Sequence, residues 1–174
     1  MREGSGSLSF YYQPLKHNHT MIPNTLQVSQ VKIIYQPKVK ASQRYTVRNT
    51  KEAQHFLFMY CYDMQTIEYK ESFKVLYLNS NNKVLGFTTH SEGGSDSAVI
   101  DVRQIVQACL LANAKRVIIS HNHPTGTLKT STYDDMTTNK IKKALESVDI
   151  DLADHIIISP EGIDYYNYAD EGRL

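Results

Sequence analysis

The chain has 174 residues, the size of one globular domain, and its 41% hydrophobic and 21% charged shares allow a core and exclude general disorder. No apolar run approaches the roughly 18–20 residues of a membrane helix, and two cysteines, Cys61 and Cys109, are too few for a disulfide framework or a four-thiolate zinc site. The net charge of +1 hides an asymmetry: residues 1–45 carry six Lys or Arg and one acid, residues 46–174 thirteen and seventeen, so the larger part has no bulk electrostatic reason to seek nucleic acid.

Residues 1–27 mix Gly, Ser, Pro, Asn and His without a period and read as an irregular, solvated extension. Met1 to Ser9 is polar and lacks the apolar stretch of a secretory signal. Val28–Tyr35 alternates, is rich in β-branched residues and reads as a strand. Gln36–Tyr45 is a connection. A helix starts at Asn49–Thr50, with Ala53, Phe56, Leu57, Tyr60 and Cys61 at helical spacing. Phe73–Leu78 and Lys83–Thr89 are strands joined by the turn cluster Asn79 to Asn82, a hairpin. His90–Ser97 reads as a polar loop.

Asp101 can cap a helix whose apolar positions are Val102, Ile105, Val106, Cys109 and Leu110, and both cysteines read as buried free thiols. Arg116–Ser120 is a short strand opening into His121, and a polar loop runs on to Thr130. Ser131 and Asp134 have the spacing of a capping box ahead of a helix to about Ser147. Asp154–Ser159 reads as a buried strand, Pro160 to Gly162 as a turn and Ile163–Tyr168 as a last strand. This order of elements implies a mixed α/β domain.

The segment that carries chemistry is Ser120-His121-Asn122-His123-Pro124, followed by Ser131 and Asp134. His121 and His123 are i and i+2, so in an extended chain both imidazoles leave on one face. Asp134, opening the next helix, can bring a carboxylate to the same point. Two nitrogens and one oxygen suit a zinc ion, and three protein ligands leave a fourth position for water, as in catalytic zinc sites. Asn122 points to the opposite face and holds the loop through backbone hydrogen bonds. Pro124 and Gly126 shape that loop.

His-x-His-Pro, six residues, Ser, two residues, Asp resembles the JAMM (also JAB or MPN) metalloprotease motif, and His-Asn-His-Pro-Thr-Gly narrows the resemblance to the RadC-like branch. Val28–Lys40, Phe73–Asn79, Ser91–Arg103 and Asp154–Leu174 look like RadC-type proteins too, so the resemblance spans about residues 28–174 and leaves 1–27 as an extension. It implies a curved mixed sheet flanked by helices, with zinc between the strand ending at Ser120 and the helix beginning near Thr132. It makes His121, His123 and Asp134 the ligands of one zinc ion and Ser131 a hydrogen-bond donor to the oxyanion. A glutamate before the first core strand would be the general base. The register points to Glu71, with Glu68 and Glu92 as competing carboxylates. Asp154 and His155 become neighbours of the site, while His17, His19 and His55 read as surface or packing residues.

The function implied is zinc-dependent hydrolysis of an amide, peptide or isopeptide bond in a protein or peptide substrate. The alternative is a nucleic-acid-associated accessory protein with a structural or vestigial metal site, motivated by the basic first 45 residues and the family's DNA-repair label. The helix-hairpin-helix module of longer RadC proteins is not legible here, so that label has little support in these residues. A scaffold role, as in JAMM relatives without ligands, is disfavoured by the intact ligand set. No membrane association is expected, and the free cysteines and polar start favour the cytoplasm.

Overall fold

A computed structural model describes residues 38–93 and 100–174. The extension at 1–27, the strand at Val28–Tyr35 and the end of the His90–Ser97 loop fall outside the described residues. Within them the elements run α1 (Thr50–Cys61), β1 (Glu71–Leu78), β2 (Val84–Gly93), α2 (Val102–Leu111), β3 (Arg116–Asn122), α3 (Thr132–Glu146), β4 (Asp151–Ile158) and β5 (Tyr165–Asn167), preceded by a 3₁₀ turn at Ala41–Gln43.

Local signals account for most boundaries. Asn49 caps α1 by accepting the Glu52 N–H at 2.9 Å, and Asp101 caps α2 by accepting the Arg103 N–H at 3.0 Å. The β1–β2 turn is closed by Asn79, whose Oδ1 accepts from the backbone of Asn81 and Lys83, while Asn82 takes a left-handed φ of 55° that asparagine tolerates.

The five strands form one mixed sheet in the order β2-β1-β3-β4-β5. β1 is antiparallel to β2 and β3, β3 is parallel to β4, and β4 is antiparallel to β5. Helices cover both faces. On one, Phe73, Val75, Tyr77, Val117 and Ile119 pack with Ile105 and Cys109 of α2 and Ile141 and Leu145 of α3. On the other, Leu76, Leu78, Ile118, Ile156 and Ile158 pack with Ala53, Leu57 and Cys61 of α1. Burial on both faces explains why Val75–Leu78, Val117–Ile119 and Ile156–Ile158 are continuous apolar runs rather than alternating ones. Cys61 and Cys109 are free and buried on opposite faces, and burial pushes both thiols up to about 12.

Several boundaries differ from the sequence reading, β1 beginning at Glu71 rather than Phe73. β2 runs on to Gly93, because Ser91, Glu92 and Gly93 pair with Phe73, Ser72 and Glu71. His121 lies inside β3 rather than beyond it, since pairing with β4 continues to Asn122. β4 begins at Asp151, and the last strand is confined to Tyr165–Asn167.

Candidate metal centre

The site forms where β3 ends and α3 begins. Alternation along β3 sends Ile119 and His121 toward α3, and Ser120 and Asn122 toward α1. His121 is 1% exposed. Its ring stacks on Phe73, with centroids 6.3 Å apart and planes 10° apart, and its Nδ1 lies 2.9 Å from His155 Nε2. His123 follows in extended conformation, its N–H donating to the Ile158 carbonyl at 3.2 Å, so the i, i+2 relation holds and the two Nε2 atoms come within 2.9 Å. The loop after it turns at Gly126, whose φ of 74° suits a residue without Cβ and whose N–H donates to the His123 carbonyl at 2.9 Å.

Asp134 comes from the other side, placed by the capping box that the spacing implied. Ser131 Oγ accepts the Asp134 N–H at 3.1 Å, and Asp134 Oδ2 accepts from both the Ser131 N–H and the Ser131 hydroxyl at 2.7 Å. The other carboxylate oxygen, Oδ1, is thereby turned to His121 Nε2, 3.3 Å away, and Oδ2 stands 4.0 Å from His123 Nε2. Ser131 in this structure serves Asp134, and its hydroxyl hydrogen is in use there.

One ligand atom from each of His121, His123 and Asp134 falls within 4.8 Å of the others. Two ligands each about 2.0–2.2 Å from one ion stand at most roughly 4.4 Å apart. His121 Nε2 meets that limit with both His123 Nε2, at 2.9 Å, and Asp134 Oδ1, at 3.3 Å, while the carboxylate approaches His123 Nε2 through its other oxygen, Oδ2, at 4.0 Å. The donor set of two imidazoles and a carboxylate is one that zinc accepts. Burial, opposed by Asp134 and reinforced by His123, pushes the His121 imidazole down to about 4, and burial takes His155 well below its ordinary value. Both rings are therefore neutral at neutral pH, the state in which imidazole binds metal.

The three carboxylates weighed as the base part company. Glu71 opens β1 opposite Gly93 and lines a cleft with Phe73, Ser91, His121, Tyr133 and Asp134. Burial raises its carboxyl, His123 draws it down, and Asp134 raises it again, the net direction being up. Glu92 projects from the α1 face, ion-paired with Lys70 at 2.7 Å and Lys74 at 3.4 Å. The Lys70 hydrogen bond, outweighing desolvation and aided by Lys74, holds its carboxyl below the usual range. Glu68 is exposed in the turn before β1.

His155 meets the site as the sequence reading had it, with Tyr168 stacked on its ring at 4.7 Å and 11°. Asp154 does not. Alternation along β4 turns it to the α1 side, where Oδ1 accepts the N–H groups of its own neighbour His155 at 2.7 Å and of Ala169 at 3.1 Å. Burial, partly offset by those backbone bonds, raises its carboxyl to about 6. His55 is exposed on α1, while His17 and His19 fall outside the described residues. Asn122 points away from the two histidines: Oδ1 accepts the Ser72 N–H at 2.8 Å, and Nδ2 donates to the carbonyls of Ile67 at 2.8 Å and Lys70 at 2.9 Å. It thus brackets Glu71 from both sides in the chain.

Thr138, which the sequence did not single out, is 2% exposed and sits one helical turn after Asp134. Its Oγ1 lies 2.6 Å from both the Asp134 carbonyl oxygen and His155 Nδ1. Its i, i+4 relation to Asp134 was a readable signal. Arg173 ties the end of the chain to this region through Asp135 at 2.6 Å, Thr130 at 2.7 Å and Tyr166 at 3.1 Å.

Residues 47–173 match the family model for the RadC-like JAB domain. Among curated proteins, the chain is 36% identical over 118 residues to a UPF0758 protein of Thermotoga maritima, covering 68% of this chain and 52% of that one. It is 44% identical over 88 residues to a UPF0758 protein of Pseudomonas fluorescens, covering 51% and 39%, and 32% identical over 126 residues to the UPF0758 protein YeeS of Escherichia coli, covering 72% and 81%. The chain spans about half or less of the first two relatives' length.

Proposed function

This chain belongs to the RadC-like JAB domain family, and on that premise we propose that it is a zinc-dependent hydrolase of amide bonds, with a protein or peptide as substrate. The observation that carries the reading is the convergence of His121 Nε2, His123 Nε2 and the Asp134 carboxylate beside a cleft that Glu71 also lines. His121, His123 and Asp134 would hold the ion. A zinc ion bound there supplies Lewis acidity and a water-derived nucleophile at neutral pH.

The chain's own residues supply the proton transfers. Glu71 takes a proton from the attacking water on its carboxylate and hands it to the departing amine nitrogen, which breaks the C–N bond without releasing an amide anion. A carboxyl raised by burial suits both halves of that task, as acceptor and then as donor. Ser131 orients Asp134. To stabilise the oxyanion as well, its hydroxyl exchanges Asp134 Oδ2 for the substrate oxygen.

The test is a screen of zinc-loaded protein against peptide and isopeptide amides, run beside Glu71→Gln and Glu92→Gln. The reading expects zinc in all three and hydrolysis lost only in Glu71→Gln. Hydrolysis that survives Glu71→Gln and disappears in Glu92→Gln contradicts the assignment of the base. The basic charge of residues 1–45 favours a second reading, nucleic-acid association. Binding to phosphates must weaken steeply as salt rises, and no binding at low salt removes it.

A further inference from the structure

The hydrogen bonds behind the candidate centre form a one-way chain whose direction is fixed at its far end. The Asp134 backbone carbonyl can only accept, and Thr138 Oγ1 lies 2.6 Å from it, so the threonine's single hydroxyl hydrogen points there. Thr138 Oγ1 then meets His155 Nδ1, at 2.6 Å, as the acceptor, which puts the imidazole hydrogen on Nδ1. A neutral imidazole carries one ring N–H, so His155 Nε2 is bare. It faces His121 Nδ1 at 2.9 Å, and His121 must donate. Tyr168 stacks on His155 and Phe73 on His121, which restricts rotation of both rings, whose planes lie 48° apart.

We propose that Thr138 and His155 are positioning residues that fix the tautomer of His121, placing its hydrogen on Nδ1 and leaving Nε2 bare and open to a metal ion. His123 arrives at the same state independently, because its Nδ1 faces the carbonyl oxygen of Thr127 and must donate there. Two lone pairs then face each other at 2.9 Å with Asp134 Oδ1 3.3 Å from His121 Nε2, an arrangement that is repulsive until a cation enters it. Asp134 stands at both ends, offering a ligand oxygen from its side chain and the anchoring acceptor from its backbone. The consequence for metal rests on the reading of His121 as a ligand, whereas the tautomer itself does not.

Two measurements on the full chain test this. In metal-free protein at neutral pH, nitrogen-15 correlation spectra of the histidine rings should give His121 a hydrogen-bearing Nδ1 and a pyridine-like Nε2. In zinc titrations, Thr138→Val, which keeps the shape and removes the hydroxyl, should weaken binding by about 10- to 100-fold, and Thr138→Ser should restore most of it. A hydrogen on His121 Nε2 in the metal-free wild type overturns the proposal, and so does a Thr138→Val variant that binds zinc as tightly as wild type. If the wild type takes up no zinc, the hydrolase reading falls and the ring spectrum alone decides the relay.

Discussion

The two faces of β3 carry buried polar groups a residue apart and use them in opposite ways. Toward α1, both are answered from within the protein: Ser120 Oγ meets Tyr62 OH at 2.9 Å and Asn122 has three backbone partners, just as the buried Lys74 of neighbouring β1 reaches Thr89 at 2.9 Å and Glu92 at 3.4 Å. Toward α3, the donor atoms of His121, His123 and Asp134 are aimed at one another around a shared point. Burial of polar groups therefore does not separate structure from chemistry here. Convergence does: groups that pair off hold the fold, and lone pairs that meet call for a ligand.

The comparison breaks most visibly on adjacent residues. His121→Ala should abolish zinc binding while the chain still folds. Asn122→Ala should leave the ligands in place but orphan the Ser72 N–H and the Ile67 and Lys70 carbonyls, destabilising the fold by about 3–5 kcal/mol. Metal analysis and denaturant unfolding of both variants check this, and two variants that lose the same property would erase the distinction between the faces.

The carboxylates on the two faces offer a second contrast. Glu71→Gln should lower hydrolysis by about 100-fold or more, whereas Glu92→Gln, which leaves the buried Lys74 ammonium without its carboxylate partner, should cost about 1–3 kcal/mol of stability and leave the rate unchanged. Burial, aided by Asp134 and opposed by His123, raises the Glu71 carboxyl in the metal-free chain. In metal-free protein the Glu71 side chain should titrate above an ordinary glutamate, and titration at the ordinary value would contradict its burial beside Asp134.

A smaller effect concerns Asp154, whose carboxyl is raised from 3.8 to about 6. The folded state holds that proton more tightly than the unfolded chain, so this stabilisation is complete below about 4 and is lost as pH rises toward 6. Its size is on the order of 3 kcal/mol. Asp154→Asn retains an oxygen for the His155 and Ala169 N–H groups and should flatten the pH dependence of unfolding across that window. An unchanged slope would remove Asp154 as its source.

The grouping of His121, His123 and Asp134 was legible because their placement is local: an i, i+2 pair at a strand end and the Ser-x-x-Asp of a capping box need no knowledge of the fold. Which glutamate faces the cleft was harder to read. Between Thr89 and Ser91 the β1–β2 register shifts, since Lys74 pairs with Thr89 but Phe73 with Ser91, leaving His90 as an extra residue. That bulge reverses the alternation, so Ser91 and Gly93 line the cleft and Glu92 faces α1. Without it, Glu92 would share the face of Thr88, which contacts Tyr77 in the core on the α2–α3 side. A bulge of this kind leaves no mark in a single sequence. Reading Asp154 and His155 together as neighbours of the site also ran against strand alternation, which admits only one of them. Thr138 is legible in the sequence only as an i, i+4 neighbour of Asp134, because its contact with His155 depends on β4, far away in the chain.

The most direct test of the account is the zinc stoichiometry of the purified chain, measured by elemental analysis after reconstitution and set beside His123→Ala and Asp134→Ala. The account expects close to one zinc per chain in the wild type and only background in both variants. A wild type that retains no zinc, or variants that bind it as well as the wild type, would contradict the claim that these three side chains form a metal centre.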